Sequence, residues 1–419
     1  MRYIRFLFSF EVFFTLWLFS YQYKNAHEVL RSPDITLLLT VLLIPWGTIL
    51  YFRTKSTRRT KFFSSINVAF LVMSAWFILT SFWSPSHDYK MQKTLCYVVY
   101  TIPSFLMGYL VISQDEARVN RLLSAFFVFS FLILVECLWT FWDKGLVSIV
   151  DVLNTNYLVT GQTLITGLSV LMAWSFFKFA PANDPQKLNF LSSWVKAMQT
   201  PWFLALFLSS LYIYVLLNLG GRGPLIAIIL ALGYFYGMRY WRYTTALKPL
   251  THLGIFMLLC GMSYLTLNGL FDHTSSHFVR RLAPMLVGQV DESLNERFSY
   301  YQSALAAFRQ HPLMGTGLGG WPIFQGLADI SLHPHNIFLE ILAETGVVGF
   351  VLFTFFLFLS LKHFNRNFLF YHVPYTAIAL ITLSSLLNAL KTGDLHDNTL
   401  LFFSLSLCAG LKSFIQVPA

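Results

Sequence analysis

Residues 331–350, SLHPHNIFLEILAETGVVGF, place two histidines directly before a hydrophobic segment. A neutral histidine can accept a proton near pH 7, which makes it a natural general base for a hydroxyl nucleophile. Pro334 stiffens the backbone between His333 and His335, and Asn336 is predicted to cap the helix that follows. We therefore interpret His335 as the candidate base, with His333 and Asn336 as candidate substrate-binding residues.

Acidic residues occur in the same parts of the sequence. Glu340 and Glu344 are four residues apart, so they share one face of the predicted helix. The segment KTGDLHDN, just before the last apolar run, holds Asp394 and Asp397 on either side of His396. One interpretation of this segment is a solvated turn. The alternative is that Asp394 and Asp397 contact substrate, orient a histidine or hold an arginine.

Arg222 lies between two apolar runs, in the segment LNLGGRGPLIAIIL. A guanidinium at such a place costs a few kcal/mol unless it is paired or reaches water, and the side chain can simply extend to the interface. The neighbouring glycines, however, leave space for a ligand. Pro224 is predicted to start a helix whose free amides point to the same region. Arginine beside a helix N-terminus favours phosphate binding.

Arg297 lies in the first turn of a predicted amphipathic helix, LNERFSYYQSALAAFRQHPLMG. We expect this helix to begin near Asn295, to run for about four turns and to lie along a membrane surface. Its apolar positions recur at helical spacing: Phe298, Tyr301, Leu305 and Phe308. Arg297 and Arg280 are further candidate substrate-binding residues.

Two other patterns in this region have alternative interpretations. The segment HPLMGTGLGGWP contains four glycines, which either form a turn or present backbone amides to an anion. His273 and His277 have a spacing seen in zinc ligand pairs, but FDHTSSH is typical of a polar loop. We expect neither a metal site nor a cofactor.

The composition indicates a membrane protein. Hydrophobic residues make up 56% of the chain and charged residues only 11%, whereas soluble domains have roughly 25% charged residues. The net charge of +10 fits the positive-inside bias of membrane proteins better than nucleic-acid binding. The four cysteines all fall in apolar runs and have neither disulfide nor metal spacing.

We predict an all-α polytopic membrane protein with about 12 transmembrane helices, since each span needs about 20 apolar residues. The predicted runs are 6–20, 35–52, 66–84, 94–112, 120–142, 157–179, 201–218, 223–238, 250–268, 345–361, 371–390 and 398–416. Most of the 29 Lys and Arg residues fall in alternate loops, which predicts cytoplasmic N- and C-termini. Residues 269–344 then form one large outer, periplasmic loop containing the amphipathic helix.

Three segments resemble the O-antigen ligase and O-antigen polymerase superfamily: GGRGPL, ERFSYYQSALAAFRQHPLMGTGLG and HPHNIFLEILAETGVVG. The likeness is carried by residues of about 205–360, so we divide the chain into N-terminal transmembrane helices, 1–200, and a ligase-like catalytic membrane region, 201–419. The residue before Arg222 is Gly221, where many relatives have serine.

The resemblance implies a bacterial inner-membrane glycosyltransferase that is metal-independent. Such enzymes take a glycan from undecaprenyl diphosphate at the periplasmic face. Ligases transfer it to the lipid A-core, and polymerases transfer it to the next lipid-linked glycan. Arg222 and Arg297 would hold the diphosphate, and His335 would activate the acceptor hydroxyl.

The sequence leaves two other functions open. Polymerase and ligase need the same donor site, so the sequence leaves both possible, with ligase as the working assignment. A polysaccharide or lipid transporter, such as a flippase, would place charged residues midway through several spans. Glu11 and Glu136 are the main residues of that kind.

Overall fold

The structure is a computed structural model of the chain. It describes residues 2–26, 28–32, 34–54, 62–144, 152–178, 202–219, 222–242, 292–362, 372–391 and 394–410. Within these ranges the chain is helical and contains no strand, as predicted. The predicted span 250–268 lies outside the described residues. The same holds for Arg280, His273 and His277.

The described helices, in chain order, are α1 (Arg2–Leu7), α2 (Phe10–Leu18), α3 (Ser20–Tyr23), α4 (Glu28–Arg31), α5 (Ile35–Arg53), α6 (Ser65–Thr80), α7 (Asp88–Cys96), α8 (Ile102–Leu110), α9 (Glu116–Lys144), α10 (Tyr157–Lys178), α11 (Trp202–Asn218), α12 (Arg222–Arg242), α13 (Glu292–Gln310), α14 (Trp321–Phe324), α15 (Ile337–Leu361), α16 (Val373–Ala389) and α17 (Thr399–Gly410). A π-helical turn, Tyr97–Thr101, joins α7 to α8.

Six helical segments in the described part of the chain are long and apolar enough to cross a membrane: Ile35–Arg53, Ser65–Trp83, Asp88–Gln114, Glu116–Asp143, Tyr157–Ser175 and Ile337–Leu361. Four shorter apolar helices accompany them: Phe207–Asn218, Gly223–Phe235, Val373–Ala389 and Thr399–Gly410. The predicted run 6–20 is divided between α1 and α2. A count of twelve spans and the sidedness of the loops therefore stay predictions.

The chain forms two compact units from interleaved segments. The first unit consists of Met1–Val41, Glu116–Ala283 and Arg366–Ser384, and the second of Leu42–Asp115, Pro284–Asn365 and Ser385–Ala419. The predicted division into residues 1–200 and 201–419 was based on the family resemblance, and it stays a prediction.

In the first unit, α10 packs against α9, α11 and α12, and α2 packs against α9. Glu11, which is 2% exposed, accepts two hydrogen bonds from the guanidinium of Arg121, at 2.9 and 3.1 Å. This buried carboxylate therefore has a structural partner. Arg222 is the first residue of α12, so the helix begins two residues before Pro224.

In the second unit, stacked aromatic rings join helices that are distant in sequence. The rings of Phe70 and Phe105 stack with centroids 3.8 Å apart, and Phe356 lies 5.4 Å from each of them. These contacts bind α6, α8 and α15 together, and α17 packs against α8. All three rings are fully buried, so their packing contributes to the stability of this unit.

Helix α15 is broken at Gly346, whose φ of 67° lies in the left-handed region. The glycine-containing loop after α13 crosses this break. Thr316 and Gly317 donate backbone hydrogen bonds to the carbonyls of Ala343 and Glu344, both at 2.9 Å. The amides of Thr316 and Gly317 are thereby used within the protein, which favours the structural interpretation of the glycine run over an anion cradle.

The amphipathic helix is present as α13, but it differs from the prediction in two ways. It begins at Glu292, so Asn295 lies inside the helix and is not its N-cap. The packed face consists of Ala304 and Ala307, which lie with Trp321 in a buried cluster. Small alanines allow α13 to approach α15 closely. The predicted apolar face stays partly uncovered in this unit, with Phe298 60% exposed.

Candidate active site

His335 has an unusual backbone conformation for a residue that is not glycine. Its φ is 56°, in the left-handed region, and such strained residues are concentrated at functional sites. Its ring stacks on Tyr300 with centroids 6.1 Å apart and meets His333 at 4.4 Å. The Nδ1 atom of His335 is buried and has no hydrogen-bond partner among the described residues.

The surroundings keep the imidazole of His335 neutral. Burial, the neighbouring His333 and the charge of Arg297 lower the pKa of His335 to about 4. Burial also lowers the pKa of His333, although Asp394 and Asp397 oppose this change. At neutral pH both rings therefore carry a free lone pair that can accept a proton.

Arg297 is held near His335 by helix α13. It precedes Tyr300 by three residues, so both side chains lie on one face of the helix. The Tyr300 ring contacts His335, and the hydroxyl of Tyr300 donates to Glu296 at 2.6 Å. In the described part of the chain, no carboxylate lies within ion-pair distance of Arg297.

Asn336 caps α15, as predicted. Its side-chain oxygen accepts hydrogen bonds from the amides of Phe338 and Leu339, at 3.0 and 3.2 Å. Its side-chain amide donates to the carbonyl of Leu390 at 3.3 Å, which brings the end of α16 next to the histidine segment.

Lys391 directly follows Leu390, and burial together with the charge of Arg297 lowers the pKa of Lys391. A second cation thus lies close to Arg297 and was missed in the sequence.

The acidic segment before α17 folds back on its own histidine. His396 lies 3.3 Å from Asp394 through Nδ1 and 3.3 Å from Asp397 through Nε2. Burial opposes protonation of His396, but the two aspartates outweigh it and raise its pKa. Both aspartates of this segment therefore lie within ion-pair distance of His396, and their role in orienting it stays a prediction. Asp394 is 1% exposed, which favours a positioning role over direct contact with substrate, whereas the Asp397 side chain is 47% exposed.

The carboxylates of α15 point to a residue that was not singled out in the sequence. The Lys93 ammonium lies 2.6 Å from Glu340, 2.7 Å from Glu344 and 2.9 Å from Asp394. Lys93 is fully buried, and Tyr89 donates its hydroxyl proton to Asp394. Glu340 and Glu344 do share one face, as predicted, but that face meets Lys93.

The structure thus brings several predicted site residues together in the second unit: His333, His335, Asn336, Arg297, Asp394 and Asp397. Arg222 belongs to the first unit. No group of three or more His, Cys, Asp or Glu side chains in the described ranges has the geometry of a metal site.

Known families provide an independent comparison for this region. Residues 204–354 match the O-antigen ligase family. The matched segment contains Arg222, Arg297, His333 and His335, and it confirms the resemblance noted in the sequence. No curated protein matches the chain. Together with the apolar helices, the match supports a membrane protein with an O-antigen ligase or polymerase type of function.

The missed residues gave little signal in the sequence. Lys93 directly precedes an apolar run, so it is typical of a loop cation next to a span. Its partners Glu340 and Glu344 are 247 and 251 residues away in the sequence, so no local spacing connects them to Lys93. Only Tyr89, one helical turn earlier, could have marked the buried face.

Proposed function

We propose that this protein is an inner-membrane glycosyltransferase that moves a glycan from undecaprenyl diphosphate to an acceptor hydroxyl at the periplasmic face. The observation that carries the proposal is the neutral, strained His335 beside Arg297, within the segment that matches the O-antigen ligase family. An imidazole base beside a guanidinium suits a reaction that deprotonates a hydroxyl and releases a phosphate.

In the proposed reaction, His335 accepts the proton of the acceptor hydroxyl as the acceptor oxygen bonds to the anomeric carbon of the donor sugar. The bond from that carbon to the diphosphate oxygen breaks, and the diphosphate leaves with the electron pair. Arg297 stabilises the negative charge that develops on the leaving oxygen. Because Arg297 has no carboxylate partner in the described residues, its charge is available to the ligand.

A guanidinium can neutralise a diphosphate without a metal ion, so we propose a metal-independent reaction that needs no cofactor. We propose the same diphosphate-binding role for Arg222, to be tested by its own variant. Arg280 stays a candidate contact with the substrate. His333, Asn336 and Asp397 are proposed to line the acceptor side.

The preferred acceptor is the lipid A-core, which makes the protein an O-antigen ligase. The alternative is a polymerase that transfers the glycan to another lipid-linked glycan, since the described site suits either acceptor. In both cases the partners are lipids and lipid-linked glycans, and both termini lie in the cytoplasm.

Deletion of the gene, followed by gel analysis of lipopolysaccharide, separates these functions. A ligase predicts loss of all glycan attached to the core, with accumulation of the lipid-linked polymer. A polymerase predicts single repeats still attached to the core. Lipid-linked glycan retained on the cytoplasmic side of the membrane would indicate a transporter and contradict the proposal.

A further inference from the structure

Lys93 is the centre of a buried cluster that the proposed reaction does not use. Its ammonium meets three carboxylate oxygens at 2.6–2.9 Å, in the positions that ligands take around a bound cation. Lys93 and its partners Glu340, Glu344 and Asp394 are each at most 1% exposed. Since Lys93 has no access to solvent, it cannot touch a substrate.

The carboxylates around Lys93 come from two segments that carry candidate active-site residues. Glu340 and Glu344 lie in the first part of α15, directly after His335 and its neighbour Asn336. Asp394 lies in the turn before α17, three residues after Lys391. The backbone amide of Leu395 also donates to Glu340 at 2.9 Å, so the two segments are joined directly as well as through Lys93.

The break at Gly346 makes the first part of α15 depend on these contacts. A continuous helix would transmit its position along its whole length, whereas the left-handed Gly346 separates residues 337–345 from the remaining helix. The short first part is held on one side by the backbone of Thr316 and Gly317 and on the other by Lys93. Loss of Lys93 would therefore release the part of the helix that follows His335.

Electrostatics make this arrangement sensitive to the loss of one charge. A single ammonium faces three carboxyl groups, and His396 supplies the next positive group beside Asp394. Removing one partner from a buried ionic cluster is strongly destabilising because the remaining charges are left uncompensated. Without Lys93, the carboxyl groups of α15 and Asp394 would lose the ammonium that joins the two segments.

We propose that Lys93 is a positioning residue, a built-in cation that holds the His335 segment and the 394–398 segment in the arrangement that glycan transfer requires. The functional part of this inference rests on the proposed transferase activity. The alternative is a purely structural ion cluster, whose loss would lower the amount of folded protein without changing the reaction in the molecules that fold.

The test compares the double variant Lys93→Met/Glu344→Gln with wild type. The double variant removes one positive and one negative charge, which limits the change in the net charge of the buried cluster. Lys90→Met is the matched control. Lys90 is one turn earlier in α7, and among the described residues its ammonium donates only to the carbonyl of Ser84, at 3.4 Å. The measurements are kcat and KM for the lipid-linked donor, per folded protein, and hydrogen–deuterium exchange.

For the double variant, we expect kcat to fall about a hundredfold, because misplacing a reacting group by about 1 Å has an effect of this size. The donor KM should change less than about twofold, since Arg297 is held by α13. Exchange should be faster in 333–340 and 394–398 and unchanged in α6. Lys90→Met should match wild type in all of these measurements.

An unchanged kcat, or unchanged exchange in both segments, would overturn the proposal. If the double variant does not fold, the Asp394→Asn variant tests the proposal instead. It removes one of the three carboxyl groups that surround a single ammonium. It should lower kcat and accelerate exchange in 394–398; an unchanged result would overturn the proposal. If wild type transfers no glycan, the proposed function fails, while the exchange measurements still test whether Lys93 holds the two segments.

Discussion

The imidazole of His335 combines a strained backbone with a buried nitrogen that has no partner in the described residues. A left-handed φ costs a residue other than glycine roughly 1–2 kcal/mol, and surrounding contacts must offset this cost. Here the ring of Tyr300 and the cap at Asn336 fix the residue on both sides. A strained backbone that is held in place by its neighbours is typical of a side chain whose position matters for catalysis.

Replacing His335 with Asn separates the loss of the base from the loss of the backbone conformation, because Asn tolerates a positive φ. We expect transfer to fall by about 10²–10⁴-fold, the usual contribution of a general base, with the melting temperature close to that of wild type. His311→Asn, at an exposed histidine after α13, is the control and should keep full activity. Wild-type transfer by His335→Asn would remove His335 from the mechanism.

The lowered pKa of His335 predicts the pH profile of transfer. Since the folded pKa of about 4 lies below the ordinary value of 6.5, the ring stays neutral from pH 7 down to about pH 5. We expect kcat/KM to be constant over that range, as far as His335 is concerned, and to fall as the pH drops through 4. An acidic limb centred near pH 6.5 would indicate an ordinary, solvated histidine as the base.

At the scale of elements, the loop over the break in α15 depends on glycine. Gly315 has a φ of 69°, and an added Cβ would lie 2.3 Å from the carbonyl carbon of Glu344. Gly326 has a φ of 78°, but nothing lies within 4 Å of such a Cβ. Both alanine variants carry the backbone cost, and only Gly315→Ala adds a clash with backbone, worth about 1–3 kcal/mol.

Thermal unfolding of the two glycine variants checks this difference. We expect Gly315→Ala to have the lower melting temperature and the lower transfer activity, because the clash displaces the carbonyl next to the carboxylates that hold Lys93. Equal melting temperatures would show that the loop adapts without cost.

Asp329 holds the first turn of α7, the helix that carries Lys93. Its carboxylate accepts from the hydroxyl of Ser86 at 2.6 Å and from the amides of His87 and Asp88 at 2.7 and 2.8 Å. The Ser86 hydrogen bond and these amides lower the pKa of Asp329 to about 2. Because the folded pKa is below the ordinary value of 3.8, the stabilisation is present above pH 3.8 and is lost as the pH falls through 2.

Replacing Asp329 with Ala should therefore destabilise the protein by about 1 kcal/mol, as for other helix caps. The deficit should be the same at pH 7 and pH 5 and should shrink only in strong acid. Chemical denaturation at several pH values measures it. A deficit that disappears between pH 5 and pH 4 would contradict the capping arrangement.

Across the whole molecule, composition and long apolar runs were enough to predict an all-helical membrane protein, because both reflect the solvent around each helix. The cap at Asn336 and the pairing of Asp394 with His396 were also predictable, since they depend on neighbouring residues. The packed face of α13 was not predictable, because the face that contains Ala304 packs where small side chains fit next to α15. Lys93 was missed for the same reason, since its partners are distant in sequence.

In the proposed reaction, Arg297 and His335 act together in the transfer of a glycan from a polyprenyl diphosphate donor. Transfer by the purified protein from an undecaprenyl-diphosphate-linked glycan to lipid A-core measures this reaction. Arg297→Ala is compared with Arg309→Ala, an arginine at the other end of α13. We predict that Arg297→Ala lowers the rate by on the order of a hundredfold or more, while Arg309→Ala keeps it. Full transfer by a folded Arg297→Ala protein would contradict the proposed role of Arg297.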